Sequence, residues 1–368
     1  MSNTTTTTTL LHDWPEPIVR VQSLSDSGLH VIPPRYIKPA HQRPNNPPPP
    51  PPPLTPILNN NNNINIPIVD LSHGVAAAEE EISAACRDWG FFQVVNHGVN
   101  PALMDRVREA WREFFHLPMD VKQSYANSPK TYEGYGSRLG VEKGAILDWS
   151  DYYFLHLLPL ALKDHRKWPA RPSDIREAID EYGKQVVELC GRLMRILSAN
   201  LGLEQERLQN AFGGTDIGAC LRVNFYPRCP QPDLTLGLSS HSDPGGLTVL
   251  LPDDQVPGLQ VRRGEDWITV KPAKHAFIVN IGDQVEVLSN AIYKSVEHRV
   301  IVNSAMERVS LAFFYNPKSD IPIEPVKELV TEERPSLYPP MTFNEYRLYI
   351  RTKGPRGKSQ VEALRSPR

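Results

Sequence analysis

Cysteine is scarce in this chain of 368 residues, with four in all: Cys86, Cys190, Cys220 and Cys229. None of them forms a Cys-x-x-Cys pair, which sets aside a disulfide framework, a structural zinc site and a dithiol redox centre, and leaves free, mostly buried thiols as the expected state. Long apolar runs are missing as well, and nothing reaches the roughly 20 apolar residues that a membrane-spanning helix needs. Neither sign of charge dominates: 40 Lys and Arg stand against 42 Asp and Glu, a net charge of −2. That balance offers no basic excess to hold nucleic acid or an anionic membrane. The opening Met1-Ser2-Asn3 and its threonine run lack a charged and an apolar signal region, so a secretory leader is not expected. These absences point to the cytoplasm, with the nucleus also compatible, and to a small-molecule partner rather than nucleic acid or a membrane; a monomer is expected.

Two residue types are concentrated instead. Between residues 42 and 65 lie a proline run, Pro47 to Pro53, and an asparagine run, Asn59 to Asn63, neither able to supply a packed core. Residues 1–63 are therefore read as an N-terminal extension with a low-complexity linker. Beyond them, residues 64–71 alternate as a strand, an alanine- and glutamate-rich helix runs to Trp89, and residues 90–95 form a second strand. Helical spacing covers 101–117, opened by a proline, and 174–203. These elements make up a helical and strand region over 64–215. From 216 to 320 short apolar strands alternate with turns: 221–226, 247–251, 259–262, 267–270, 276–281, 285–288, 295–302 and 309–315. The expected fold is mostly β with flanking helices, an α+β chain around an antiparallel jelly roll. Residues 321–368 should form a C-terminal helix and tail closing the site.

The chemistry is concentrated in the jelly-roll region. His241 and Asp243 stand two apart in Ser-His-Ser-Asp-Pro, and His298 follows 55 residues after Asp243 in Val-Glu-His-Arg. Two imidazoles and one carboxylate on one face of an iron ion leave three positions open for a chelating co-substrate and O₂. Strand alternation would turn residues 241 and 243 to one side, with His298 returning on a neighbouring strand. Arg308 and Ser310, alternate positions of a later strand, are suited to hold the far carboxylate of a diacid. Each fragment alone is commonplace; their joint order and spacing in β-like segments is not.

These motifs resemble the plant 2-oxoglutarate- and Fe(II)-dependent dioxygenases, and the similarity runs from about Ile64 to Gly354. Two further stretches carry it: Trp-Gly-Phe-Phe-Gln-Val-Val-Asn-His-Gly from Trp89, and Leu-Arg-Val-Asn-Phe-Tyr-Pro from Leu221. The segments beginning at Trp14, Thr131, Leu147 and Phe343 are similar to the jasmonate-induced oxygenases. The resemblance implies a double-stranded β-helix with Fe(II) on His241, Asp243 and His298. It implies 2-oxoglutarate held by Arg308 and Ser310 with Asn224 and Tyr226 beside it, and ascorbate as reductant. It further implies hydroxylation of jasmonic acid at C12, with O₂ consumed and succinate and CO₂ released, which lowers active hormone and damps jasmonate-dependent defence.

Substrate residues follow from charge. Arg222 alternates with Asn224 and Tyr226 and shares their face. Arg347 and Arg351 lie at i and i+4 of a C-terminal helix and could clamp a carboxylate, although a solvated helix face is the plainer alternative. Phe154 and Phe314 are candidates to wall the apolar part of the ligand, against the commoner use of strand aromatics as core. His97, in Asn-His-Gly, is read as structural, and the glycine-rich stretch from Tyr132 as a loop near the site mouth, since it lacks the lysine of a phosphate loop. Two rivals remain. A flavonoid oxidase would want a polar, aromatic wall instead of three arginines, and a non-catalytic cupin-like binding protein has no need of the complete ligand set.

Overall fold

Residues 14–44, 64–72, 75–138, 140–353 and 357–365 are described by the computed structural model, with backbone alone for 75–77 and 349–353. The proline and asparagine runs, and the side chain of Arg351, lie outside them. In chain order the helices are α1 (Val21–Asp26), α2 (Val75–Asp88), α3 (Pro101–Phe115), α4 (Met119–Gln123), α5 (Ile175–Asn200), α6 (Arg207–Ala211), α7 (Asp283–Leu288), α8 (Phe343–Lys353) and α9 (Ser359–Ala363). The strands are β1 (Ile68–Asp70), β2 (Phe91–Val95), β3 (Gly134–Gly136), β4 (Asp151–Leu158), β5 (Gly218–Tyr226), β6 (Leu238–His241), β7 (Leu247–Leu251), β8 (Leu259–Arg263), β9 (Asp266–Thr269), β10 (Phe277–Ile281), β11 (His298–Val300), β12 (Arg308–Asn316), β13 (Pro322–Ile323) and β14 (Met341–Thr342).

An eight-stranded sheet runs β1-β2-β10-β7-β12-β5-β4-β3, and a four-stranded sheet runs β6-β11-β8-β9. All their pairings are antiparallel except β1 with β2. At the centre of the large sheet β5 and β12 pair over nine residues, from Tyr226 opposite Arg308 to Gly218 opposite Asn316. Their sequences decide which face looks where, because side chains alternate along a strand. Leu221, Val223 and Phe225 of β5 and Val309, Leu311 and Phe313 of β12 belong to the core shared with the helices. The intervening Arg222, Asn224, Tyr226, Arg308, Ser310, Ala312 and Phe314 face a cavity instead.

Helix α3 shows how the outer layer is fixed. Asn100 caps it by accepting from Ala102 N at 2.9 Å, and Pro101 opens its first turn without an amide to satisfy. Its apolar stripe, Leu103, Met104, Val107, Trp111, Phe114 and Phe115, is buried, and Phe115 stacks on Phe225 at 4.8 Å. Truncating the fully buried Trp111 to alanine would cost about 3–5 kcal/mol. A second core joins the N-terminal segment (Val21, Ile32, Tyr36) to Trp149 and the small sheet. Asp151, wholly buried, accepts from the amides of Val21 and Gln22 and so pins α1 to β4.

Several expected elements change. Residues 285–288 form part of α7 rather than a strand, because a short apolar run does not reveal its own period and Gly282 with acidic residues in the first turn favours a helix. The strand expected over 295–302 shrinks to three residues, and the glycine-rich stretch contributes β3 instead of remaining a loop. His97 is buried, with Nε2 3.0 Å from the carbonyl of His275 and Nδ1 accepting from Val99 N.

Candidate active site

His241 ends β6 and His298 begins β11, and the pairing of the two strands sets them directly opposite. Their rings lie 4.3 Å apart between centroids. Asp243 arrives differently from the expected strand alternation, since β6 stops at His241. A turn carries it, and the N-terminus of α7 holds the turn: Asp283 N donates to Asp243 O (2.8 Å), Gln284 N to Gly245 O (2.9 Å) and Gly282 N to Gly246 O (2.7 Å). Helix N-termini have spare amides, and here they hold the backbone that presents the carboxylate.

The three residues bring their ligand atoms within 4.8 Å of one another. Asp243 Oδ1 lies 3.5 Å from His241 Nε2 and 3.6 Å from His298 Nε2. His241 Nδ1 donates to Ser239 O at 2.8 Å and His298 Nδ1 to Val296 O at 3.2 Å, which leaves both Nε2 lone pairs turned inward. The other carboxylate oxygen of Asp243 is occupied by Thr248 Oγ1 (2.6 Å) and Asn280 Nδ2 (2.8 Å). Burial opposes the charge on Asp243, but the two imidazoles and Thr248 outweigh it and hold its pKa well below the usual carboxylate range. Burial and the neighbouring His241 push His298 down to about 4. Burial also pulls His241 down, yet its hydrogen bond and attraction to Asp243 leave it raised. Two inward nitrogens and one carboxylate oxygen, each with its outer atom engaged, fit a divalent iron with open positions.

A cavity of about 270 Å³ extends from this cluster. Arg308, Ser310, Tyr226 and Asn224 line it, as do Arg222, Arg347, Phe154 and Phe314. Arg308 is 4% exposed. Its Nε donates to Val256 O and one terminal nitrogen to Ser310 Oγ, and among the described residues no carboxylate pairs with it. A buried guanidinium at a cavity wall without an acidic partner fits an anionic ligand. Arg222 lies over the Tyr152 ring at 4.2 Å and donates to Asn224 Oδ1 at 2.7 Å. Arg347 reaches the cavity from α8, packed over Phe343. Thr248, Asn280 and Tyr152 escaped the sequence reading. Asn280 did leave a signal, as a buried amide in the apolar strand Phe-Ile-Val-Asn-Ile that had to find a polar partner.

An iron-type ligand set at the mouth of an antiparallel double sheet, beside a cavity with a buried arginine, defines a non-haem oxygenase. A model of the 2OG-Fe(II) oxygenase superfamily matches residues 217–317, and one of the non-haem dioxygenase in morphine synthesis N-terminal region matches 66–178. The chain belongs to the 2OG-Fe(II) oxygenase superfamily, and it is an oxygenase working with Fe(II) and 2-oxoglutarate. Within that superfamily it is 67% identical to Jasmonate-induced oxygenase 1 of Arabidopsis thaliana, over 96% of this chain and 88% of that protein. It is 66% identical to a crystal structure of JOX2 in complex with 2OG, Fe and JA, with a TM-score of 0.89 over 96% of this chain and 100% of that one. A Leucoanthocyanidin dioxygenase of Malus domestica is 38% identical over 89% of this chain and 93% of that protein.

Proposed function

We propose that the protein hydroxylates jasmonic acid to 12-hydroxyjasmonic acid, consuming O₂ and 2-oxoglutarate and releasing succinate and CO₂, and so damps jasmonate-dependent defence signalling. The observation that carries this reading is a single cavity walled jointly by His241, Asp243 and His298, by Arg308 and Ser310, and by Arg222 and Arg347. Similarity to the jasmonate-induced oxygenases, and to the JOX2 structure with its bound JA, supports the choice of substrate.

In this reading His241, Asp243 and His298 hold Fe(II). Arg308 receives the distal carboxylate of 2-oxoglutarate, helped by Ser310, with Tyr226 and Asn224 beside it. The iron and 2-oxo acid supply the oxygen activation when bound, and ascorbate keeps the metal reduced. The chain's own part is to orient and to exclude water. Arg222, stacked on Tyr152, and Arg347 of α8 draw the substrate carboxylate to one side. Phe154 and Phe314, which line the same cavity, wall its hydrocarbon portion. Four buried free cysteines support a reducing compartment, taken as the cytosol.

The test incubates purified protein with Fe(II), ascorbate and 2-oxoglutarate, adding either jasmonic acid or a dihydroflavonol, and follows succinate together with product mass. Gain of one oxygen on jasmonic acid alone is expected. Turnover of the flavonoid alone would transfer the protein to the leucoanthocyanidin dioxygenase type of activity.

A further inference from the structure

The far end of the chain returns to the metal-bearing turn. Gly357 N donates to Ser240 O at 3.0 Å and Gly357 O accepts from Ser242 N at 3.2 Å, which makes the tail a bridge partner of His241. Just beyond it, Lys358 Nζ lies 2.8 Å from Glu286 Oε2, and Arg365 reaches Glu286 Oε1 at 3.2 Å. Tyr338 OH and Ser295 N complete the ring of donors around Glu286. One turn earlier in α7 stands Asp283, which accepts from Tyr346 OH of α8 (2.5 Å), Ser295 Oγ (2.7 Å) and Ser242 Oγ (3.2 Å).

Both carboxylates are fully buried, at 0% exposure, and neither lines the cavity. Two acids one helical turn apart in a dry interior repel one another and lose their hydration, so α7 can sit there only while donors surround them. Ser242 belongs to the turn itself and Ser295 to the loop before β11, but the two cations come from the tail and a phenol comes from α8. The amides of the same helix hold the turn carrying Asp243. We propose that residues 357–365, together with Tyr346, are a positioning element of the metal centre: by docking on Glu286 and Asp283 they seat α7 against the turn 241–246 and fix the spacing of the three ligands.

This rests on the reading that His241, Asp243 and His298 hold the metal, and the test separates the two. Mn(II) serves as the probe, with free ion followed by electron paramagnetic resonance in full-length wild type, Lys358→Met, Lys358→Arg and Tyr346→Phe. Wild type should bind one Mn(II) through the cluster. Lys358→Met and Tyr346→Phe should weaken it by about tenfold, in the range of changes to groups behind metal ligands, and Lys358→Arg should restore most of the loss. Linkage adds a readout on the unaltered protein: if docking tightens metal binding, metal must tighten docking by the same factor. Mn(II) should then slow amide hydrogen exchange at 357–361 as well as at 241–246, an arm that decides the matter even where a variant fails to fold. Wild type without Mn(II) binding would remove the ligand assignment itself. Wild-type binding with both variants within twofold, or exchange slowed at 241–246 and unchanged at 357–361, would overturn the positioning role.

Discussion

Thr248 and Asn280 stand opposite one another across β7 and β10, and both donate to the same oxygen of Asp243. The sheet register thus orients a candidate metal-binding carboxylate that lies outside any strand. Replacing Thr248 with valine keeps the shape and deletes the donor. The freed carboxylate can rotate, and Co(II) affinity should fall by about tenfold. The visible spectrum of the bound Co(II) checks the geometry in the same titration. Unchanged affinity with an unchanged spectrum would mean that Asn280 and the turn set Asp243 without Thr248.

Arg308 should matter for 2-oxoglutarate through its shape as well as its charge. Its Nε is held by Val256 O and its position by Ser310, so a forked partner is presented ready for a carboxylate. Arg308→Lys keeps the charge and loses the fork, and the KM for 2-oxoglutarate is expected to rise about tenfold. Arg308→Met removes both, for a rise of about a hundredfold, equivalent to roughly 3 kcal/mol. Equal KM values for the two variants would show that charge alone is read.

The candidate site, which the structure gathers at one cavity, was legible because its chemistry admits few residue types and its order along the chain is distinctive. His241, Asp243, His298, Arg308 and Ser310 could be picked out without coordinates. What could not be read was the means of placement. Asp243 was expected on a strand and lies on a turn, since the support comes from amides of α7, a helix that resembled a strand at 285–288. Six residues carry too little periodicity to distinguish the two. Alternation in the nine-residue β5 and β12 was long enough to separate core face from cavity face, and so Arg222, Asn224 and Tyr226 were grouped correctly on the cavity side. Tail contacts with Glu286 bridge residues far apart in sequence and leave no local pattern.

Arg222 and Arg347 enter the cavity from different elements, β5 and α8, so each can be removed without the other. With jasmonic acid as substrate, Arg347→Ala is expected to raise KM about tenfold, in keeping with the loss of one charged hydrogen bond. The methyl ester of the same acid provides the control, since it lacks the charge. Its KM should stay within twofold. If acid and ester suffer alike, Arg347 fills space beside Phe343 and reads no carboxylate.

His97 gives a pH dependence of stability that is independent of the metal cluster. Its Nδ1 must be unprotonated to accept from Val99 N, while Nε2 donates to the carbonyl of His275. Burial holds its pKa below the ordinary value, with Arg192 and His275 adding to the effect against the pull of the His275 carbonyl. As pH falls through 6.5, the unfolded chain takes up a proton that the folded protein refuses. Stability at this residue is therefore complete above the unfolded pKa and drains away on acidification, by at most about 1.4 kcal/mol per pH unit. Urea unfolding of wild type and His97→Gln, compared between pH 7 and pH 5, isolates the term from the other histidines. The wild type should lose stability more steeply than the variant over that interval. Parallel curves would mean that His97 accepts its proton in the fold, and that the Val99 bond does not hold it neutral.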